Sequence, residues 1–339
     1  MRTVLTGPNA QDRLGWVREL AFFCIAALAS WYLTDLRYRV NVEFPLATLD
    51  GLIKGTANKP FQFRMLVPWI VQGLHSLTAW ETKDLYAAVD AGATLGVYYA
   101  TRFYLRSWFA SLVSAVAAFS VFLILPWNFI LARDIPIYLP YDMASIAFFT
   151  MGLAFLRRRW WMAFYPLLAV ATVNREITVF LIVVFGISQW ATMPRRSWAL
   201  HLAAQSAIWI GIKTVLGSLY AANPGDALEF YHAGTQSPHL VRNLDVLTTL
   251  PSLFTVLSCF GFIWILLPLF WRRLSDRFLR QVLWITPPFL LSVILFGNID
   301  EMRVYAELLP VILIPAIFIV AEILRTPEPE AEVASEPYV

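Results

Sequence analysis

The sequence predicts an all-α integral membrane protein with about ten transmembrane helices, and three observations predict it. The 339 residues are 59% hydrophobic with a mean hydropathy of +0.62. Only 14% are charged, against about 25% in a soluble domain. Finally, 14 Trp, 25 Phe and 13 Tyr supply the aromatic residues that two lipid–water interfaces attract. A soluble enzyme with a water-facing surface is thereby excluded. The net charge of +3 comes from short Arg clusters between apolar runs, which report topology before they report partners, and no nucleic-acid-binding pattern is present. Membrane lipids are the first expected partners.

Windows of about 19 residues place spans near 17–34, 85–104, 107–127, 141–157, 160–174, 176–193, 198–220, 249–271, 279–297 and 304–324. The first is expected to be uncleaved: Arg2, Arg13 and Arg18 precede it, and no small-x-small cleavage signature follows. Residues 1–324 are then a single transmembrane domain. The tail 325–339, acidic and Pro-rich, is expected to be disordered in the cytoplasm. Cys24 and Cys259 lie inside apolar runs and offer no disulfide framework.

The segment 62–80 is apolar overall but interrupted by Arg64, Pro68, Gln72 and His75. Parity decides its placement. The clusters at Arg157–Arg159, Arg195–Arg196 and Arg272–Arg280 belong on the cytoplasmic side, and an inside N-terminus is recovered only when 62–80 does not cross. An amphipathic helix on the outer surface is expected there. Both termini then face the cytoplasm, and the outer connections are 35–84, 127–141, 174–176, 221–248 and 297–304.

Those outer connections carry acids and arginines together. The first holds Asp35, Arg37, Arg39, Glu43 and Arg64. The second holds Asp134 and Asp142, the third Arg175 and Glu176, and the fifth Asp300, Glu301 and Arg303. The positive-inside rule requires no Arg at such positions. Ion pairing between helix ends accounts for any one of them, and Asp142 also stands where it would cap a helix. Several together fit an anionic ligand, because Arg grips phosphate bidentately and stays charged there. Sugar transfer from a lipid phosphate needs these residue types, and so does proton-coupled transport. His232 and His239, seven apart, form no metal-ligand pattern.

The run Lys59-Pro60-Phe61-Gln62-Phe63-Arg64-Met65-Leu66-Val67-Pro68-Trp69, after a first span and a long acid-bearing loop, resembles a motif of the GT-C membrane glycosyltransferases. The protein O-mannosyltransferases and aminoarabinose transferases belong to that superfamily, whose second juxtamembrane helix opens on a similar K-P motif. The runs around Asp142 (PIYLPYDMASIAFF), ATVNREITVFLIVVF and NIDEMRVYAELLPVILIP look like segments of its small members. The resemblance implies a GT-C-like fold and transfer of a sugar from a polyprenyl-phosphate donor to an acceptor outside the membrane. It implies Glu43 or Asp35 as base, with Asp142 orienting the acceptor or binding a metal. Arg64, Arg175 and Arg303 would hold the phosphate, while Asp134, Glu176, Asp300 and Glu301 would support the site or the acceptor. A divalent metal is an open possibility within the resemblance. Transport or flipping of a lipid-linked saccharide is the alternative, and a scaffold of a glycan-assembly complex a third.

Overall fold

The computed structural model describes residues 10–131, 135–231 and 237–325. It is helical throughout, apart from a pair of two-residue strands and an isolated bridge. Helix α1 (Ala10–Val40) outruns its apolar stretch and carries Asp35, Arg37 and Arg39 in its last turns. Strand β1 (Val42–Glu43) leads to α2 (Leu49–Lys54), where Thr48 Oγ1 accepts from Gly51 N at 3.0 Å and Gly55 closes the helix at φ 74°. Next comes α3 (Leu66–His75). Ten residues rise about 15 Å, half the hydrocarbon thickness of about 30 Å, so the 62–80 segment forms no crossing helix.

The chain continues through α4 (Thr82–Leu105), α5 (Ser111–Ala118) and α6 (Ser120–Pro126), which runs into a π turn at Trp127–Leu131. Strand β2 (Ile137–Tyr138) precedes α7 (Asp142–Arg158), α8 (Trp161–Asn174), α9 (Val179–Gln189) and α10 (Arg195–Leu219). The last part holds α11 (His239–Thr248), α12 (Leu250–Leu257), α13 (Leu266–Leu269), α14 (Arg277–Leu283), α15 (Thr286–Phe296) and α16 (Leu309–Arg325).

Five helical stretches are long and apolar enough to cross a membrane: Gly15–Val40, Ser111–Leu131, Arg195–Leu219, Arg277–Phe296 and Met302–Leu324. They are compatible with an integral membrane protein. The Arg195–Leu219 stretch has only 11% of its apolar window buried, and Leu200, Ile210, Val215 and Leu219 stand exposed, a face that suits lipid and not water.

The expected ten spans are not reached by length and composition. At 85–104, α4 is long enough, yet it carries Lys83, Asp84, Asp90 and Arg102. Helix α8, of 14 residues, rises about 21 Å and α9, of 11, about 17 Å, both short of a full crossing. The 249–271 stretch is no single helix. Phe260, Gly261 and Phe262 adopt left-handed φ values of 56°, 60° and 64°, and α11 and α12 meet at a 102° bend. A hydropathy window joins such pieces because it is blind to the breaks. Of the tail expected to be disordered, all but Arg325, the last residue of α16, lies outside the described residues.

Helix α7 measures the molecule: its 17 residues separate its two ends by about 25 Å. At the far end Arg157 pairs with Asp276 at 3.2 Å, Trp108 Nε1 donates to Asp276 at 2.8 Å, and Arg158 donates to the Phe103 carbonyl at 2.8 Å. Three Arg-bearing turns therefore share that end. At the Asp142 end a second apolar cluster, including Tyr38, Leu52, Phe61, Val71, Tyr86 and Tyr141, seats the first connection on α4 and α7. The two strands pair in parallel, Val42 with Ile137 and Glu43 with Tyr138. That ladder ties the first connection to the segment entering α7.

Candidate functional site

The Asp142 end is built from five chain segments. Asp142 is the first residue of α7, and its side chain caps nothing. Its carboxylate instead faces two guanidiniums: Asp142 Oδ1 lies 3.1 Å from Arg175 Nη1 and 3.5 Å from Arg303 Nη1, with Asp142 only 1% exposed. The helix N-terminus adds its own positive field at that point. Arg175 stands where the chain breaks from α8 into extended backbone at φ −161°. The same Nη1 lies 2.5 Å from Glu307 Oε1, and Asn174 Nδ2 donates to the Tyr141 carbonyl at 3.1 Å.

Arg64, just after the Lys59-Pro60 run, forks onto Glu176. Its Nε and Nη2 meet Oε2 and Oε1 at 3.3 and 2.5 Å, while Nη1 donates to Tyr141 Oη at 2.9 Å. Burial opposes its charge, but Glu176 and then the Tyr141 hydroxyl hold Arg64 well above its ordinary pKa, so it stays cationic. Lys213 Nζ from α10 approaches Glu176 Oε2 at 3.6 Å and lies over the Phe63 ring. Four cations thus meet four carboxylates in two groups, Arg64 and Lys213 on Glu176, and Arg175 and Arg303 on Asp142, Glu301 and Glu307.

Arg303 pairs with Glu301. Its Nε and Nη1 are buried and have no hydrogen-bond partner. The turn that carries it is held by Asn128, from the π turn after α6, whose Nδ2 donates to the Met302 carbonyl at 2.9 Å and whose Oδ1 accepts from Phe260 N at 3.1 Å. Asp300 is held apart from this group by Arg242 of α11, in a fork at 2.7 and 2.8 Å.

The residues named from sequence thus separate into groups. Arg64, Asp142, Arg175, Glu176, Glu301 and Arg303 converge. Asp300 sits beside them with its own partner. Asp35 is on α1, half-exposed, and paired with Arg39 four residues on at 2.9 Å. Glu43 is exposed; one carboxylate oxygen accepts from Leu49 N, and no cation pairs with it among the described residues. Asp134 and His232 lie outside the described residues. Among the described residues no group of three or more His, Cys, Asp or Glu side chains is placed to hold a metal ion.

Glu307, Lys213, Tyr141 and Asn128 belong to the site without having been named for it. Glu307 had a signal, an acid inside the apolar run that becomes α16, and such a residue marks a site or a partner. Asn128 had none. Deeper along α4, Arg37 and Asp90 form a second buried pair at 2.6 Å, with Thr34 donating to Asp90 at 3.2 Å. The cavity beside them, about 10 Å³, has room for one water.

No family model, no curated protein and no solved structure matches the chain.

Proposed function

We propose that this chain is a membrane glycosyltransferase of the GT-C type, moving a sugar from a polyprenyl-phosphate donor to an acceptor at the outer membrane face. The observation that carries the reading is the gathering of Arg64, Arg175, Lys213 and Arg303 at one end of the bundle, with Arg303 Nε and Nη1 donating no hydrogen bond, Nη1 being only ion-paired with Asp142 at 3.5 Å. A buried guanidinium with unsatisfied donors is a binder for an oxyanion. In this reading Arg303, with Arg64 beside it, grips the donor phosphate. Arg175, shared between Asp142 and Glu307, braces the floor of the site, and Asp142 positions both arginines.

The base comes from the first connection. Glu43 is exposed and free of any cation among the described residues, whereas Asp35 is committed to Arg39. Glu43 would take the acceptor proton as the acceptor oxygen attacks C1 and the C1–O bond to phosphate breaks. The electron pair leaves with polyprenyl phosphate, whose charge the arginines stabilise.

A second reading, transport or flipping of a lipid-linked saccharide, draws on the buried Arg37–Asp90 pair, since intramembrane ion pairs often line transport paths. One experiment separates the two. Purified full-length protein in proteoliposomes is given polyprenyl-phosphate pentoses and hexoses radiolabelled in the sugar, together with a mixture of glycan, lipid and peptide acceptors. The transferase reading expects label to leave the donor lipid; label that crosses the bilayer still attached to its lipid contradicts it.

A further inference from the structure

Arg64 and Arg303 hold their carboxylates in different ways. Arg64 makes a complete fork, its Nε and Nη2 meeting the two oxygens of Glu176 at 3.3 and 2.5 Å. Arg303 offers the same edge and has it half filled. Its Nη2 pairs with Glu301 Oε1, its Nε is buried without a hydrogen-bond partner, and the second oxygen of Glu301 is turned away to accept from Asn298 Nδ2 at 3.2 Å. Both side chains are buried. A phosphate group would bring two oxygens to that edge and complete the fork that the carboxylate leaves half made.

Charge points the same way. Among the described residues the ion-paired groups at this end, Arg64, Arg175, Lys213 and Arg303 against Asp142, Glu176, Glu301 and Glu307, sum to zero. An anion added to a buried neutral group lacks a counter-charge unless one carboxylate turns out to water. Three of the four are firmly engaged. Glu176 fills the Arg64 fork, Asp142 stands between two arginines at the start of α7, and Glu307 lies 2.5 Å from Arg175. Glu301 holds one guanidinium through one oxygen, and it stands on a non-helical residue at φ −92° and ψ 86°. The backbone is pinned on both sides of it: Ile299 N donates to Asn243 Oδ1 at 3.1 Å, and the Met302 carbonyl accepts from Asn128 Nδ2 at 2.9 Å. Releasing Arg303 therefore needs only rotation of the Glu301 side chain.

We propose that Glu301 is a displaceable counter-ion: it neutralises Arg303 in the empty site, and the phosphate of the lipid-linked donor takes its place. The proposal rests on the glycosyltransferase reading above. With Glu301 turned out, the remaining groups carry one net positive charge, which the single negative charge of a sugar phosphodiester cancels. With the site empty, Glu301 returns and keeps a buried guanidinium from standing short of its counter-charge. One anion is exchanged for another, so the affinity for lipid phosphate is lowered by the work of expelling Glu301.

The test measures binding of polyprenyl phosphate to purified full-length wild type, Glu301→Gln, Arg303→Ala and the double variant in detergent by native mass spectrometry, with unfolding temperatures alongside. Gln keeps an oxygen for Asn298 Nδ2 and gives up the charge. Glu301→Gln should bind about tenfold more tightly than wild type, because no carboxylate has to be expelled first. In the Arg303→Ala background the same change should bring no gain, because Glu301 acts through Arg303. A wild type that binds beside a Glu301→Gln protein that binds equally, binds more weakly or fails to fold overturns the proposal and leaves the transferase reading intact. An equal gain in the Arg303→Ala background overturns it too, by reducing the effect to the removal of a nearby negative charge. No binding by either the wild type or Glu301→Gln overturns the reading and the proposal together.

Discussion

Arg175 Nη1 sits 3.1 Å from Asp142 Oδ1, so the break after α8 is tied to the first residue of α7 at a point that water does not reach. Arg303 leans on the same oxygen. Replacing Asp142 by Asn keeps the shape and removes the charge, leaving Arg175 with Glu307 alone and Arg303 with Glu301 alone. Breaking a buried pair from one side costs about 3–5 kcal/mol. The purified Asp142→Asn protein should unfold at a clearly lower temperature than wild type in the same detergent. An unchanged unfolding temperature would show that the pairing contributes nothing.

Glu43 accepts from Leu49 N at the start of α2, a bond that the amide oxygen of Gln retains. Glu43→Gln should therefore insert and fold normally while losing the basicity that the acceptor's deprotonation needs, and transfer should drop by about 10²-fold. Protein level in membranes is measured alongside. Undiminished transfer would remove Glu43 as base.

Gly225 touches the Lys59 backbone, which cannot retreat as a flexible side chain can. A methyl group there is expected to unfasten the 221–231 connection, compounding the strain of a left-handed φ in a residue with a Cβ. Gly225→Ala should open this connection to limited proteolysis, with cleavage detected by mass spectrometry. Wild-type resistance to protease in the variant would mean that the fastening at Lys59 is dispensable.

Glu229, half-buried in the connection between α10 and α11, makes stability depend on pH: burial pushes its carboxyl up to about 7, and the sign follows from that. Below its ordinary value of 4.5 the carboxyl is protonated in both folded and unfolded chains and has no effect. Between 4.5 and about 7 the folded protein holds a proton that the unfolded chain releases, so stability falls as pH rises through that window. Unfolding temperatures of wild type and Glu229→Gln across this range should diverge, the wild type alone losing stability with rising pH through Glu229. Parallel curves would contradict the raised pKa.

The sequence carried the class of the fold and much of the charged network. Arg64, Asp142, Arg175 and Arg303 stand out because ionisable groups beside apolar runs are conspicuous against their surroundings. Other features are non-local. The pairing of Arg64 with Glu176 joins residues 112 apart, and nothing in either neighbourhood announces its partner. Asn128 grips the Met302 carbonyl from 174 residues away, and an Asn in an apolar stretch has no spacing to betray it. The break at Phe260–Phe262 escaped for a different reason: the mean hydropathy of a window averages over the turn, at whose Gly261 a Cβ would lie 2.6 Å from the Trp127 indole nitrogen.

The central claim, that this end of the bundle holds a lipid phosphate, is tested most directly without any sugar, since polyprenyl phosphate is common to every donor considered. Purified wild-type protein, Arg303→Lys and Arg303→Ala are titrated with polyprenyl phosphate in detergent, and the bound lipid is counted by native mass spectrometry. Saturable binding is expected for wild type, with affinity reduced about tenfold or more in Arg303→Ala, the loss of one charge-assisted contact of about 1.5–3 kcal/mol, and only partly restored in Arg303→Lys because the planar fork is gone. Equal binding by all three proteins, or none by the wild type, would contradict the claim.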